Sequence, residues 1–253
     1  MRTSWVFFAA SAYCVMVFGI TAGHHRYFSH RSYKTSRWFQ LVIALCGAIA
    51  GQRGALWWAG HHRDHHRRAD VDGDVHSPVQ DGFLWSHVGW ILSGTHAVTP
   101  LDNVRDLTVY PELVWLNRYH VVPPIVYVVT TGLAGGAGAA SWAMFAMIAV
   151  YHVIFATNSV THLWGTKRYP TNDNARNNPV IAVLTFGEGW HNNHHYYPRS
   201  AKVGFFWWEL DISFLILKCL ERLGLVWDIR MPPQAALLVG AARQPGREGG
   251  LHA

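Results

Sequence analysis

The chain has 253 residues, of which 50% are hydrophobic and 14% charged, against roughly 25% charged in an ordinary soluble domain. That balance argues against a soluble or disordered chain and predicts one integral membrane unit. The net charge of +6 does not point to nucleic acid: the 21 Lys and Arg are scattered among apolar runs rather than gathered in a basic stripe with interleaved aromatics. The partner this distribution predicts is the membrane itself, through anionic lipid headgroups.

In chain order, the first element is a charge-free run over 3–23, long enough to cross about 30 Å of hydrocarbon as a helix. A signal peptide is disfavoured there, because no small-residue cleavage motif follows. An apolar stretch over 38–52 is short for a span and predicts an interfacial or re-entrant helix. The next charge-free stretch, 121–166, is rich in Gly and Ala at its middle. It predicts two antiparallel spans, about 121–138 and 142–162, turning near Gly135-Gly136. Residues 203–226 are hydrophobic but interrupted by Glu209, Asp211, Lys218, Glu221 and Arg222, as amphipathic surface helices would be. One domain over 1–231 is expected, followed by a disordered tail over 232–253 where the chain turns to Ala, Gly and Arg. Cys14, Cys46 and Cys219 fall in apolar segments without CxxC spacing and read as small core residues.

With three spans so placed, 24–120 and everything from Lys167 onward share one side, together with every Lys and Arg except Arg2. By the positive-inside rule that side is the cytoplasm. Four histidine groups fall there: His25-Arg-Tyr-Phe-Ser-His30, His62-Arg-Asp-His65-His66, Asn158-Ser-Val-Thr-His162 and His191-Asn-Asn-His194-His195. Offsets of three and four bring the imidazoles of an HxxHH box to one helix face. Neutral imidazole ligates Zn, Cu, Fe and Ni. Nine imidazoles exceed the four of a zinc site or the six of one octahedral ion, so two ions are the economical count. Asn158, one helical turn before His162, is placed to hold a ligand water. His76, His87, His96, His120, His152 and His252 are lone and read as satisfied polar residues. His24 and His61 each precede a box and stay ambiguous, with His62 the better fit to the common face. The Asp70-Val-Asp72-Gly-Asp74 run hints at calcium but has no Gly at the sixth loop position, and it reads as a solvated acidic loop.

These segments resemble the membrane fatty-acyl desaturases, in particular the stearoyl-type Δ9 acyl-CoA desaturases. The likeness is carried by Gly19-Ile-Thr-Ala-Gly-His-His-Arg-Tyr-Phe-Ser-His-Arg31, His62 to His66, Trp85-Ser-His-Val-Gly-Trp90, Asn158-Ser-Val-Thr-His-Leu-Trp164 and Gly187-Glu-Gly-Trp-His-Asn-Asn-His-His195, and extends over about residues 10–230. It implies an all-α fold, a helical membrane stem under a cytosolic cap, and an O₂-dependent enzyme that installs a cis double bond, Δ9 by analogy. It implies a di-iron centre with His25, His66, His162, His191 and His195 on one iron. His30, His62, His65 and His194 would hold the other, with Asn158 acting through water. Gln52 and Trp58 match positions that shape the kink of the acyl tunnel. The chain begins at what matches the family's second span. Ser93-Gly94-Thr95 stand where the animal enzymes carry basic residues facing coenzyme A, so the acyl group could ride on coenzyme A or on a lipid. No haem domain is fused, so electrons would come from a separate ferredoxin-, rubredoxin- or small-haem-carrier-like protein with its reductase. A bacterial inner membrane is the expected location.

Three rival functions leave different marks. Di-iron hydroxylases and alkane monooxygenases carry Glu in their boxes, which these lack. A metal transporter would line its spans with histidine, whereas only His152 lies deep in a span. A zinc hydrolase needs fewer ligands and a carboxylate base.

Overall fold

The protein is described by a computed structural model covering residues 3–243. It is predominantly helical. Helix α1 (Thr3–Phe18) continues without a break as a π-helical segment, Gly19–Ser29, every residue of which is buried. Gly19 lets that segment touch α2 (Arg37–Ala48) backbone to backbone, since a Cβ there would fall 2.3 Å from the carbonyl carbon of Cys46. Ser36 caps α2 by accepting from the Phe39 amide at 3.2 Å. The helix then buries one stripe, Phe39, Ile43, Ala44 and Gly47, mainly against the π-helical segment.

Helix α3 (Ala55–Arg68) carries the first HxxHH box. Beyond it come a buried acidic loop, a π turn at Trp85–Gly89 leading into α4 (Trp90–Leu92), a 3₁₀ turn at Leu101–Val104, and α5 (Pro111–Arg118). Helix α6 (Val122–Ser159) is a hairpin. Gly136, at φ 79° and ψ −175°, is its single non-helical residue, a backbone conformation that essentially only Gly adopts. Pro124, Ile125, Val128 and Val129 line one apolar groove together with Met144, Met147, Ile148 and Tyr151. In one straight helix residues 124 and 151 would stand about 40 Å apart. The two predicted spans are therefore present as antiparallel arms, 122–135 and 137–159, but the turn is one residue rather than several. Met16 and Val17 of α1 and Ile20 of the π-helical segment pack with Val150 and Ile154 of the second arm.

The rest of the cap is made of α7 (Pro179–Leu184), capped by Asn178, α8 (His191–Tyr196), which carries the last box, and α9 (Ile212–Arg222), capped by Asp211. A two-residue strand, Lys34–Thr35, pairs antiparallel with Val226–Trp227 and ties the chain's two ends of the cap together.

Two expectations need correcting. Part of the supposed tail, 232–253, forms α10 (Gln234–Ala242), with Ala236 and Gly240 buried; the rest of that stretch beyond 243 lies outside the described residues. Small side chains made the segment look featureless, yet they are what allows it to lie on Tyr169, whose hydroxyl donates to the Ala236 carbonyl at 3.0 Å. The cysteines are free, but Cys14 and Cys219 are exposed and Cys46 is half-buried, so none is a core residue. Apolar sequence context marked the helices correctly but not which face each cysteine occupies.

Candidate metal centre

The four histidine groups come from five parts of the fold. The π-helical end of α1 supplies His25, and His30 caps it; α3 supplies His62, His65 and His66; the turn after α6 supplies His162; α8 supplies His191, His194 and His195. The structure brings all nine imidazoles into two adjoining groups, each with candidate ligand atoms within 4.8 Å of one another. One group is His25, His30, His62, His66 and His194, and the other is His65, His162, His191 and His195.

The two boxes are used reciprocally. His62 and His66, four residues apart, share the first group while His65 turns to the second; His191 and His195 share the second while His194 turns to the first. At 100° per residue, side chains four apart diverge by only about 40°, whereas one three apart swings to the other side. This geometry corrects the expected partition. His25 and His66 lie with His30, His62 and His194, and His65 lies with His162, His191 and His195.

Within the first group the Nε2 atoms form a chain: His30 to His62 at 2.8 Å, His62 to His66 at 3.0 Å, His66 to His194 at 2.9 Å and His194 to His25 at 3.0 Å. In the second, His162 Nε2 lies 3.0 Å from His191 Nε2, while Nε2 of His65 and of His195 are buried without any partner. One ring nitrogen has either a proton or one lone pair, so it cannot bond two such neighbours at once. A shared cation resolves the conflict. At a metal–nitrogen distance of about 2.1 Å, ligands at right angles sit about 3.0 Å apart. Burial, reinforced by the neighbouring imidazoles, pushes His30, His62, His66, His191, His194 and His195 well below the ordinary histidine range. They are neutral at pH 7, as ligands must be.

Carboxylates orient the rings from behind. His65 Nδ1 donates to Asp74 Oδ1 at 2.9 Å, His162 Nδ1 to Asp70 Oδ2 at 2.8 Å, and His195 Nδ1 to Asp173 Oδ2 at 2.7 Å. His25 Nδ1 lies 2.6 Å from Glu188 Oε2, though neither atom is aligned for a good hydrogen bond. Each contact fixes a tautomer and leaves Nε2 free. The acidic loop is thus not solvated. Asp70 and Asp74 are buried, and only Asp72 is exposed. Burial works to raise the Asp70 and Asp74 carboxyls, but bonds and charge at His162 and His65 hold both below the usual carboxylate range. These four carboxylates are the functional residues that sequence reasoning missed. A usable signal existed: the chain has only 15 acidic residues, and ligating histidines almost always hand their other N–H to a carboxylate or carbonyl.

The ambiguous histidines resolve. His24 points away from the centre into α2, where a Cβ on Gly47 would meet its Nε2 at 2.5 Å. His61 Nε2 faces the Val98 carbonyl at 3.2 Å. His87 pairs with Ser159 and His152. His76 is not satisfied as expected: it is buried, its ring centre lies 4.3 Å from that of His65, and its Nδ1 has no partner. His65, Asp74 and His76 form a third close group, but the His65 Nδ1 proton belongs to Asp74, so the trio extends the outer layer of the second cluster.

Beside the first cluster lies a cavity of about 430 Å³ whose walls include Gln52, Trp58, Trp90, Tyr151 and Asn158. Trp58 stacks on His62 with ring centres 4.8 Å apart. Gln52 is buried in the wall with both amide atoms unpaired. Asn158 also lines a small adjoining cavity with His25, His62 and His191, between the two clusters.

The sequence family described as fatty acid desaturase matches residues 3–218. Among individual proteins, the chain is 38% identical over 245 residues to an sn-2 palmitoyl-lipid 9-desaturase of Nostoc sp. (strain 36), covering 91% of this chain and 86% of the relative. It is 38% identical over 216 residues to an sn-1 stearoyl-lipid 9-desaturase of Anabaena variabilis, covering 84% and 79% respectively. It is 34% identical over 236 residues to an icosanoyl-CoA 5-desaturase of Limnanthes douglasii, covering 91% and 66%. A helical stem, two all-imidazole clusters beside an apolar cavity and this matched span agree, and the chain belongs to the fatty acid desaturase family.

Proposed function

We propose that the protein introduces a cis Δ9 double bond into a saturated acyl chain esterified to a membrane glycerolipid, using O₂ and two iron ions. His25, His30, His62, His66 and His194 would hold one ion, and His65, His162, His191 and His195 the other, with Asn158 holding a water between them. The observation that carries this reading is the pair of adjoining imidazole clusters, the first of which lines an apolar cavity, in a chain of this family. Bound iron would supply an oxidant able to take hydrogen from an unactivated methylene, which no acid or base in the chain can do. The chain's own residues do the positioning. Trp58, clamped on His62, makes a rigid wall beside the ligands. Trp90, Tyr151 and the neighbouring apolar wall exclude water and hold one carbon pair near the metals. Gln52 forms part of the cavity wall where the resemblance puts the kink of the tunnel. Asp70, Asp74 and Asp173 keep protons on Nδ1 and aim Nε2 inward.

Reducing O₂ to two waters takes four electrons, two from the acyl chain and two from outside. A separate carrier protein with its reductase, of ferredoxin, rubredoxin or small-haem type, is the required partner. A lipid-linked substrate is favoured over coenzyme A by the exposed Ser93-Gly94-Thr95 stretch and by the lipid substrates named for two relatives. The location proposed is a bacterial inner membrane, crossed several times, with the centre on the cytoplasmic side. Two helices long and apolar enough to cross a membrane support it, one of them folded into the hairpin. The test is lipid profiling after expression in a host without its own desaturase. Monounsaturated chains with the bond at carbon 9 of glycerolipids are expected; a hydroxylated chain would overturn desaturation, and a bond elsewhere would overturn the Δ9 assignment.

A further inference from the structure

We infer that the two metal positions are electrostatically unequal, and that the four-histidine position fills first because Asp70, Asp74 and Asp173 stand behind it. The inference rests on the two-ion reading above. In the four-histidine cluster three of four rings donate Nδ1–H to a carboxylate, at 2.8, 2.9 and 2.7 Å. In the five-histidine cluster only His25 faces one, Glu188, in a poorly aligned contact.

The counter-charges differ as well. Arg26 grips Glu188 through Nε at 3.0 Å and Nη2 at 2.9 Å, and reaches on to Asp211 at 2.9 Å. That guanidinium is itself fully buried, so the carboxylate behind His25 already has its cation. Among the described residues, no Lys or Arg nitrogen lies within 4 Å of the Asp70, Asp74 or Asp173 carboxylate oxygens. Lys167 donates to the backbone carbonyls of Thr171 and of Asp173 itself rather than to the Asp173 carboxylate. Their other partners are neutral: Ser77 Oγ and the Asn174 amide on Asp70, the Asp70 and His76 amides on Asp74, and Thr171 Oγ1 and the Ala175 amide on Asp173. Three carboxylates, Asp70 and Asp74 buried and Asp173 partly so, await a cation on one side; on the other, one guanidinium is shared by Glu188 and Asp211, which leaves a single net negative charge, spread over two carboxylates. An outer carboxylate is worth roughly 10–100-fold in metal affinity, so three outweigh the fifth imidazole of the other cluster. They act through the histidines, as positioning residues.

The measurement is a Co²⁺ titration of the full chain, purified in mild detergent and stripped of metal, read by ligand-field absorption and by competition with a chelator. Two ions should bind in two steps, the first at least about 10-fold tighter. Asp74→Asn should weaken the first step by roughly 10–100-fold and leave the second unchanged, whereas Glu188→Gln should touch the second alone. His30→Ala identifies the second step by removing it. Asp173→Asn, at the least buried of the three carboxylates, repeats the test should Asp74→Asn fail to insert. Two equal steps, or both carboxylate variants acting on the same step, overturn the inference while leaving the two-ion reading standing. Fewer than two ions in the parent protein overturns both.

Discussion

The α6 hairpin and the histidine bowl are both built from helix, yet they are held by different physics. The hairpin is apolar, and much of it is exposed: Leu133 shows 84% of its surface, and Ile125, Val129 and Phe145 also face outward. Its fixed points are small residues. Gly136 makes the turn, and the Trp5 ring covers Gly135, where a Cβ would come within 3.2 Å of it. The bowl is the reverse. It is largely buried, and four of its nine rings, those of His65, His162, His195 and His25, are faced from behind by Asp74, Asp70, Asp173 and Glu188. Shape alone suffices where any apolar residue will do; where a nitrogen must point at one place, a hydrogen bond has to aim it.

Substitutions can break or sharpen that contrast. The largest effect is expected from His65→Ala and His194→Ala, one from each cluster: no detectable unsaturated product, with the protein still membrane-inserted by fractionation. Retained activity in either would remove that ring from the centre. Next come the glycines that set the backbone. Gly19→Ala forces a methyl into the α2 backbone, and Gly136→Ala strains the turn; each should lower stability in detergent by about 1–3 kcal/mol, read as a fall in unfolding temperature. An unchanged Gly136→Ala would mean that the hairpin reverses elsewhere. The smallest effects are expected at Leu133→Ala, within about 0.5 kcal/mol, and at His96→Ala. The His96 carbonyl accepts from Trp57 Nε1 at 2.7 Å and survives the change, so activity within about twofold of the parent is expected, and a complete loss would place His96 in the site.

The sequence made the stem and the ligand types legible because both leave periodic or compositional marks. Charge-free runs marked α1 and α6, and repeated HxxHH spacing marked α3 and α8. What stayed hidden depends on tertiary direction. The spacing of His62, His65 and His66 sets His65 to the other side of His62 from His66, but it does not say that two clusters lie there to receive them, because that follows from how α3 faces α8. Asp70 looked like a loop residue since its partners, His162 and the Asn174 amide, lie 92 and 104 positions away. Ala236 and Gly240 looked like filler until Tyr169 gave them a surface.

The spread of the ligands along the chain governs how the protein must be made. Each cluster needs both an early and a late contributor: His25 and His194 in one, His65 and His195 in the other. Neither can close until the ribosome has released residue 195 and α8 has packed beside α3. Metal loading is thus a late step in maturation, and a chain stalled before α8 would leave its first histidines waiting and unmetallated.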